Sequence, residues 1–312
     1  MSSRAIRGER NFASWRRRAS DRCRRGGLVE LLRPASIAEF IDLGGPFLSA
    51  NEAQHGVMLG VAIATQNPAP NAYWALVVDN GFVVGAALRT STRLILSREN
   101  AAGAMALLAV DTRDHAFHAV LGPTESVESF IIGSERPWRD VMSQRIYDCR
   151  EVQMPRTVEG GHRLARAEDR GFLAAWVQQL SLEALHESVT LESAAARADD
   201  HVERGSMYVW EVAGSAVSAA AAVAPTPHGI RVNNVYTPPE HRRRGYASAL
   251  VATLTQSLLD SGRMFVFLHT DLANATSNDL YVRIGYRPVA DMRVVEPESR
   301  QKSDVAGVAR FA

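Results

Sequence analysis

The sequence runs to 312 residues with a formal net charge of +1, 46% hydrophobic and 22% charged residues. That is enough chain for two ordinary domains with ample core, and it is the composition of a soluble globular protein. The near-zero net charge argues against a nucleic-acid or membrane-surface binder, and no apolar run approaches the length of a membrane helix. Two cysteines, Cys23 and Cys149, have neither a close partner nor a metal-ligand spacing, so a reducing cytosol is expected. The basic side chains are almost all arginine, with Lys302 the sole lysine, a bias typical of G+C-rich bacterial genomes.

Residues 1–32 form an arginine-dense extension without the apolar core of a secretory signal, and disorder is expected there. A nucleic-acid arm at residues 4–25 is the alternative. Residues 33–158 read as a first α/β module. Residues 36–66 have helical spacing, broken at Gly44-Gly45-Pro46. Residues 72–97 are β-branched strands around an Asp79-Asn80-Gly81 turn. Residues 98–110 read as helix. Residues 118–134 read as strand, turn and helix, with Thr124 or Ser126 as N-cap. Another strand, SQRIYDCREVQ, closes the module, and RTVEGGHR is the linker.

Residues 159–312 then repeat the order. Residues 166–205 read as helices. Residues 207–237 read as three strands turning at Ala213-Gly214 and at residues 226–229. Helix, strand, helix and strand follow. The halves match weakly in letters and better in element order, the mark of a duplicated module. The expected fold class is α/β (α+β), two tandem modules, each a mixed and mostly antiparallel sheet with helices on both faces, the first degenerate.

The stretch VYTPPEHRRRGYASALVATL concentrates the functional signal. A strand ends at Val235-Tyr236-Thr237, three arginines follow, and a helix begins near Gly245. Helix N-termini already carry partial positive charge, so Arg242, Arg243 and Arg244 make sense there if an anion is bound. Backbone N–H groups from Arg243 through Tyr246 and Ala247 to Ser248 would hold phosphate oxygens. Gly245 lets the phosphate approach the main chain without a Cβ in the way.

Arg242-x-x-Gly245-x-Ala247 after a strand resembles the acyl-CoA pyrophosphate loop of the GNAT superfamily of N-acetyltransferases. DLANATSNDLYVRIGYRPV resembles the superfamily's second signature, with Asn274, Asn278, Tyr281, Gly285 and Tyr286 at its marked positions. The resemblance covers roughly residues 160–296 and is similar to the branch holding glycine N-acyltransferase-like proteins. Ala275 departs from it, since proline usually follows that Asn. No such loop stands in the first half, as in tandem GNAT proteins with one degenerate half.

The resemblance implies an acetyl-CoA-dependent N-acetyltransferase without a metal, passing acetyl directly to a primary amine of a small molecule or peptide. Val235, Tyr236 and Thr237 would meet the pantetheine arm and the thioester carbonyl. Asn274 and Ser277 would flank the arm, and Tyr281, two turns along the same face, would protonate the departing thiolate. Glu211 is the first candidate for a base, with Glu240, His241, Asp271 or a water chain as alternatives. A non-catalytic acyl-CoA-binding regulatory protein is the rival reading. The expected location is the cytoplasm, with no membrane or nucleic-acid partner and a homodimer left open.

Overall fold

The computed structural model describes residues 29–69, 72–185 and 188–298. Of the extension expected over residues 1–32, residues 1–28 lie outside the described residues, while Glu30–Leu32 form an ordered strand paired antiparallel with Leu76–Val78, so the first module begins earlier than expected.

The first half runs β1 (Glu30–Leu32), α1 (Ile37–Ser49), α2 (Gly56–Ala64), β2 (Tyr73–Asp79), β3 (Phe82–Arg89), β4 (Arg93–Leu96), α3 (Ala104–Asp111), β5 (Ala119–Pro123), α4 (Thr124–Ser134) and β6 (Trp138–Cys149). The second half repeats this order: β7 (Gly161–Leu164), α5 (Arg170–Leu185), α6 (Leu191–Glu203), β8 (Met207–Val212), β9 (Ser215–Val223), β10 (Gly229–Tyr236), α7 (Tyr246–Asp260), β11 (Phe265–Asp271), α8 (Ala275–Arg283) and β12 (Arg287–Pro297).

The halves do not keep separate sheets. All twelve strands form one sheet in the order β1-β2-β3-β4-β5-β12-β6-β11-β10-β9-β8-β7. The final strand of each half has crossed to the other. β12 pairs with β5, and β6 pairs with β11. The two exchanged strands then pair with each other, antiparallel, from Arg287 opposite Asp148 to Pro297 opposite Trp138. The order is a palindrome: replacing each strand by its counterpart reads the sheet backwards, which is a pseudo-twofold about the β6–β12 pair. Arg145 grips Asp291 through two hydrogen bonds of 2.6 and 2.8 Å across this pair.

Alternation along the strands gives each face its own core. On one face α7 and α8 cover the sheet, with Val232, Leu250 and Leu268 at the centre, and α3 and α4 cover the first half. On the opposite face α1 and α2 cover the first half, and α5 and α6 cover the second. The exchanged strands feed both layers: Tyr147 and Cys149 pack beneath α8, while Ile146 turns the other way.

Two local expectations need correction. Helix α1 does not break at Gly44-Gly45-Pro46 but runs through them to Ser49. Gly44 is buried, and a Cβ there would meet Leu76 Cδ2 at 2.9 Å, so this glycine serves close helix–sheet packing. Tertiary burial of the α1 face overrides the local breaking signal. At α4 neither Thr124 nor Ser126 is the N-cap. Pro123 holds that position, and Ser126 is buried.

The turn between α1 and α2 docks on the second half through Glu52, which is only 7% exposed. Its carboxylate accepts from Thr226 Oγ1 at 2.5 Å, His228 N at 2.7 Å, His228 Nδ1 at 2.7 Å and Gly229 N at 3.1 Å. Burial alone would push the Glu52 carboxyl up, but these bonds together hold it below the usual carboxylate range. Nearby, a Cβ at Gly56 would run into the Phe267 ring, and a Cβ at Gly60 would stand 2.8 Å from Ala224 Cβ. Helix α2 of the first half therefore lies across β10 and β11 of the second.

Glu52→Ala removes the acceptor and leaves several donors without a partner, so a loss of about 3 kcal/mol is expected in chemical denaturation. A lowered folded pKa means this contribution is present above the unfolded value and fades as pH falls below about 4.3. The gap between wild type and Glu52→Ala should therefore narrow in acid. A constant gap from pH 7 to pH 3 would show that the carboxylate charge is not what holds the halves together.

Candidate functional site

β10 and β11 are parallel, but their ladder covers only Gly229 to Arg231 opposite Phe265 to Phe267. β10 continues to Tyr236 and β11 to Asp271, so beyond Arg231 the strands splay and leave backbone groups of β10 open on that side. A bulge on the other side of β10 enlarges the opening. The register with β9 shifts between Asn233 and Tyr236, and Asn234 takes φ 49°. His201 holds this bulge: its Nε2 lies 2.9 Å from Asn234 Nδ2, and its Nδ1 lies 2.9 Å from Ser206 Oγ. Burial pushes the His201 pKa down, which favours the neutral ring that accepts from Asn234.

The splayed end of β10 feeds the cradle. Ser218 Oγ bonds the carbonyl of Tyr236 at 3.0 Å and Thr237 Oγ1 at 2.8 Å, fixing the strand end. Arg243 (φ 61°) and Gly245 (φ 86°) are both left-handed, and such a backbone gathers N–H groups into an anion-sized concavity. Gly245 is the N-cap of α7, and no side chain caps that helix end. The first intrahelical bond comes from Ala249 N to Gly245 O, leaving the N–H groups of Tyr246, Ala247 and Ser248 at the open helix end.

The three arginines divide. Arg242 is tied down, with Nε on Thr237 O at 2.8 Å, a terminal nitrogen on Glu183 at 2.6 Å, and its guanidinium over the Tyr236 ring. Tyr236 in turn donates to Gln179 of α5 at 2.6 Å. Arg243 and Arg244 are exposed and form no ion pair among the described residues. Arg242 thus positions the loop while the other two remain available to an anion.

Asp271 ends β11, and Asn274 caps α8 by accepting from Ser277 N at 3.0 Å. Asn278 donates to Asp271 O at 2.9 Å and accepts from Tyr147 of exchanged strand β6 at 3.0 Å. Tyr281 lies 7% exposed, edge-on to Tyr286 at 5.9 Å. Its hydroxyl bonds to no described residue, and burial pushes its pKa up to about 12. Val235 precedes the cradle on the splayed part of β10. Glu211 stands apart on β8, two strands from β10, where Arg163 Nε reaches it at 2.5 Å and bridges it to buried Asp169.

Comparison with solved structures identifies this arrangement. A GNAT-family acetyltransferase from Colwellia psychrerythraea aligns over 86% of this chain and 98% of its own at 12% identity, TM-score 0.56. A GCN5-related N-acetyltransferase from Sphaerobacter thermophilus aligns over 86% and 94% at 15% identity, TM-score 0.56. The chain has the GNAT fold. A tandem GNAT protein from the clavulanic acid biosynthesis pathway also aligns over 86% of this chain and 97% of its own, at 14% identity and TM-score 0.51. In sequence, the family model described as FR47-like protein matches residues 212–294, which spans both GNAT signatures. No curated protein matches the chain in sequence.

The first half repeats the GNAT frame without the cradle chemistry. Gly103 is the left-handed N-cap of α3, with φ 86° as at Gly245. The residues before it are Ala101 and Ala102 where the second half has Arg243 and Arg244. Glu99 fills the helix end itself: its carboxylate accepts from Met105 N at 3.0 Å. β4 ends one residue past its last pairing with β5, so little free strand edge is left there. Sequence reading missed Glu99, Gln179, Glu183 and Tyr147 as parts of these frames. Gln179, Glu183 and Tyr147 act through partners far away in the chain, whereas Glu99 reaches a backbone N–H only six residues on.

The described residues contain no helix long and apolar enough to cross a membrane and no cluster of His, Cys, Asp or Glu able to hold a metal ion.

A calorimetric titration with CoA should give one site per chain, since Glu99 already supplies a negative charge at the first-half helix end. Gly245→Asp sets a carboxylate in the cradle and should abolish CoA binding; because its backbone is left-handed and a Cβ there stands 3.0 Å from Val158 Cγ1, the melting temperature should fall somewhat while the fold, read by circular dichroism, is kept. Two sites, or intact affinity in Gly245→Asp, would contradict this geometry.

Proposed function

We propose that the protein is an acetyl-CoA-dependent N-acetyltransferase that passes the acetyl group directly to a primary amine. One observation carries the reading: the open, left-handed N-terminus of α7, with Arg243 and Arg244 beside it and paired to no described residue, stands where β10 parts from β11. The N–H groups and the two guanidinia suit a pyrophosphate, and charge-assisted contacts of this kind are strong. The bare edge of β10 beyond Arg231 suits the amides of a pantetheine arm. The GNAT fold over most of the chain supports the same assignment.

In this reading the amine nitrogen bonds to the thioester carbonyl carbon, the carbon–sulfur bond breaks, and the amine gives up a proton. Backbone N–H groups at Tyr236 or Thr237 would stabilise the oxyanion that forms on the carbonyl. Tyr281 supplies the proton to the departing sulfur. Sulfur takes a proton from a phenol only as negative charge develops on it and it leaves as thiolate, so the hydroxyl acts where the bond breaks. Burial, which holds Tyr281 protonated up to about pH 12, keeps that proton in place at neutral pH. With Glu211 engaged by Arg163, the amine's proton is taken up by water in the cleft and returned to the Tyr281 phenolate, which restores the acid for the next turnover.

Thiol release from acetyl-CoA across amines, amino acids and short peptides tests the reaction. Tyr281→Phe keeps the ring packed and should lower kcat about 10²–10⁴-fold while leaving acetyl-CoA affinity unchanged. Equal rates in both forms would make Tyr281 a packing residue. A wild type that binds acetyl-CoA tightly and turns over no amine would instead favour a non-catalytic acyl-CoA-binding protein.

A further inference from the structure

The face of the sheet opposite α7 and α8 holds a group of polar atoms that the protein itself leaves unsatisfied. Arg231 and Asn233 are two apart on β10 and share a face. Their ladder partners, Val223 and Ala221, pack with α5 and α6, which fixes that face as the one away from the cradle helices. His269 stands on the same face of β11, two residues beyond Phe267, the ladder partner of Arg231. Arg231 Nε, Asn233 Oδ1 and His269 Nε2 are all sealed from solvent and bond to nothing described.

Buried polar groups are nearly always partnered, and a buried charge without a counter-charge is costly. Arg231 forms no ion pair among the described residues, and burial alone pushes its pKa down, with no carboxylate acting on it. The residue keeps part of its surface exposed, so a ligand can reach it. Burial, and then the Arg231 charge, push His269 down to about 3, so the group carries one positive charge rather than two. The position is also telling. Arg231 is the last residue of β10 paired to β11, at the root of the splay. The pyrophosphate cradle approaches that splay from the α7 side. Helix α2 of the first half, at Phe267, and α5 of the second, at Tyr236, flank β10 on this side, which is the side of the splay that the cradle does not use.

We propose that the acceptor amine also carries a carboxylate, which Arg231 binds on this face while Asn233 Oδ1 accepts an N–H from the amine. A guanidinium meets a carboxylate bidentately, and the open acceptor beside it suits an amine only a few bonds away. This rests on acetyl transfer at the same splay. It adds the substrate class, an amino acid or similar amino-carboxylate, and gives the first half a part in forming the acceptor site.

The test is calorimetry on the full chain saturated with CoA, titrated with glycine, glutamate and phenylalanine and with the amide of each. At least one acid should bind about 10²-fold more tightly than its amide. Arg231→Met should erase that difference, leave CoA binding unchanged, and melt no lower than wild type, because it removes an uncompensated charge. Asn233→Asp supplies an internal carboxylate, so it should raise the melting temperature and abolish acid binding. The proposal is overturned if no acid is preferred over its amide, if Arg231→Met keeps the preference, or if Arg231→Met melts well below wild type, which would mark Arg231 as structural. Binding is read apart from turnover. A chain that prefers the acids and acetylates nothing overturns the transfer reaction and keeps this site. A chain that acetylates acids and amides alike overturns this site alone.

Discussion

A strand in the middle of a sheet must satisfy backbone groups along both edges, and here the two middle strands belong to the wrong halves. β6 is held by β11 and β12, and β12 by β5 and β6. Neither half can complete its own sheet. The candidate site depends on this exchange. Tyr147 of β6 orients Asn278, and with Cys149 it packs in the same core as Tyr281 and Tyr286. The ring on which the acid role rests is thus seated partly by the first half. Glu52 and α2 reach across in the same sense, bringing first-half residues onto the paired end of β10 and β11, next to the root of the splay.

The palindrome also shows how one frame yields two different helix ends. Gly103 and Gly245 make the same left-handed turn into equivalent helices. In the second half the turn is flanked by Arg243 and Arg244, which pair with no described residue, and no described side chain caps its N–H groups. In the first half it is flanked by alanines and answered by the Glu99 carboxylate. The backbone is shared; the counter-charge differs. A helix end satisfied from within gives up its use for an outside anion and gains local stability.

Much of this was legible in the sequence because the signals are local. Turn residues and strand alternation marked the repeated element order, and Gly245 after three arginines marked the cradle. What failed was non-local. β12 has the same alternating pattern whichever strand it pairs with, so the exchange left no trace. Gly44-Gly45-Pro46 looks like a break until Leu76 is known to press on Gly44. Nothing near Arg242 in the sequence foretells its bond to Glu183, which stands on a helix far back in the chain. Arg231 is legible as a charge inside a strand, but only the layout of both faces shows that no described residue partners its Nε.

The exchange also sets the order in which the chain can finish folding. During synthesis, β5 is complete long before β12 leaves the ribosome, and until then its inner edge is bare. β6 waits in the same way for β11. Contacts between such distant segments form slowly, and bare edges pair readily with other chains. A nascent first half therefore spends most of its synthesis as a sheet open at the centre, a natural client for a chaperone. Truncation ahead of β12 would expose an internal edge in each half, so such fragments would tend to associate by borrowing one another's strands.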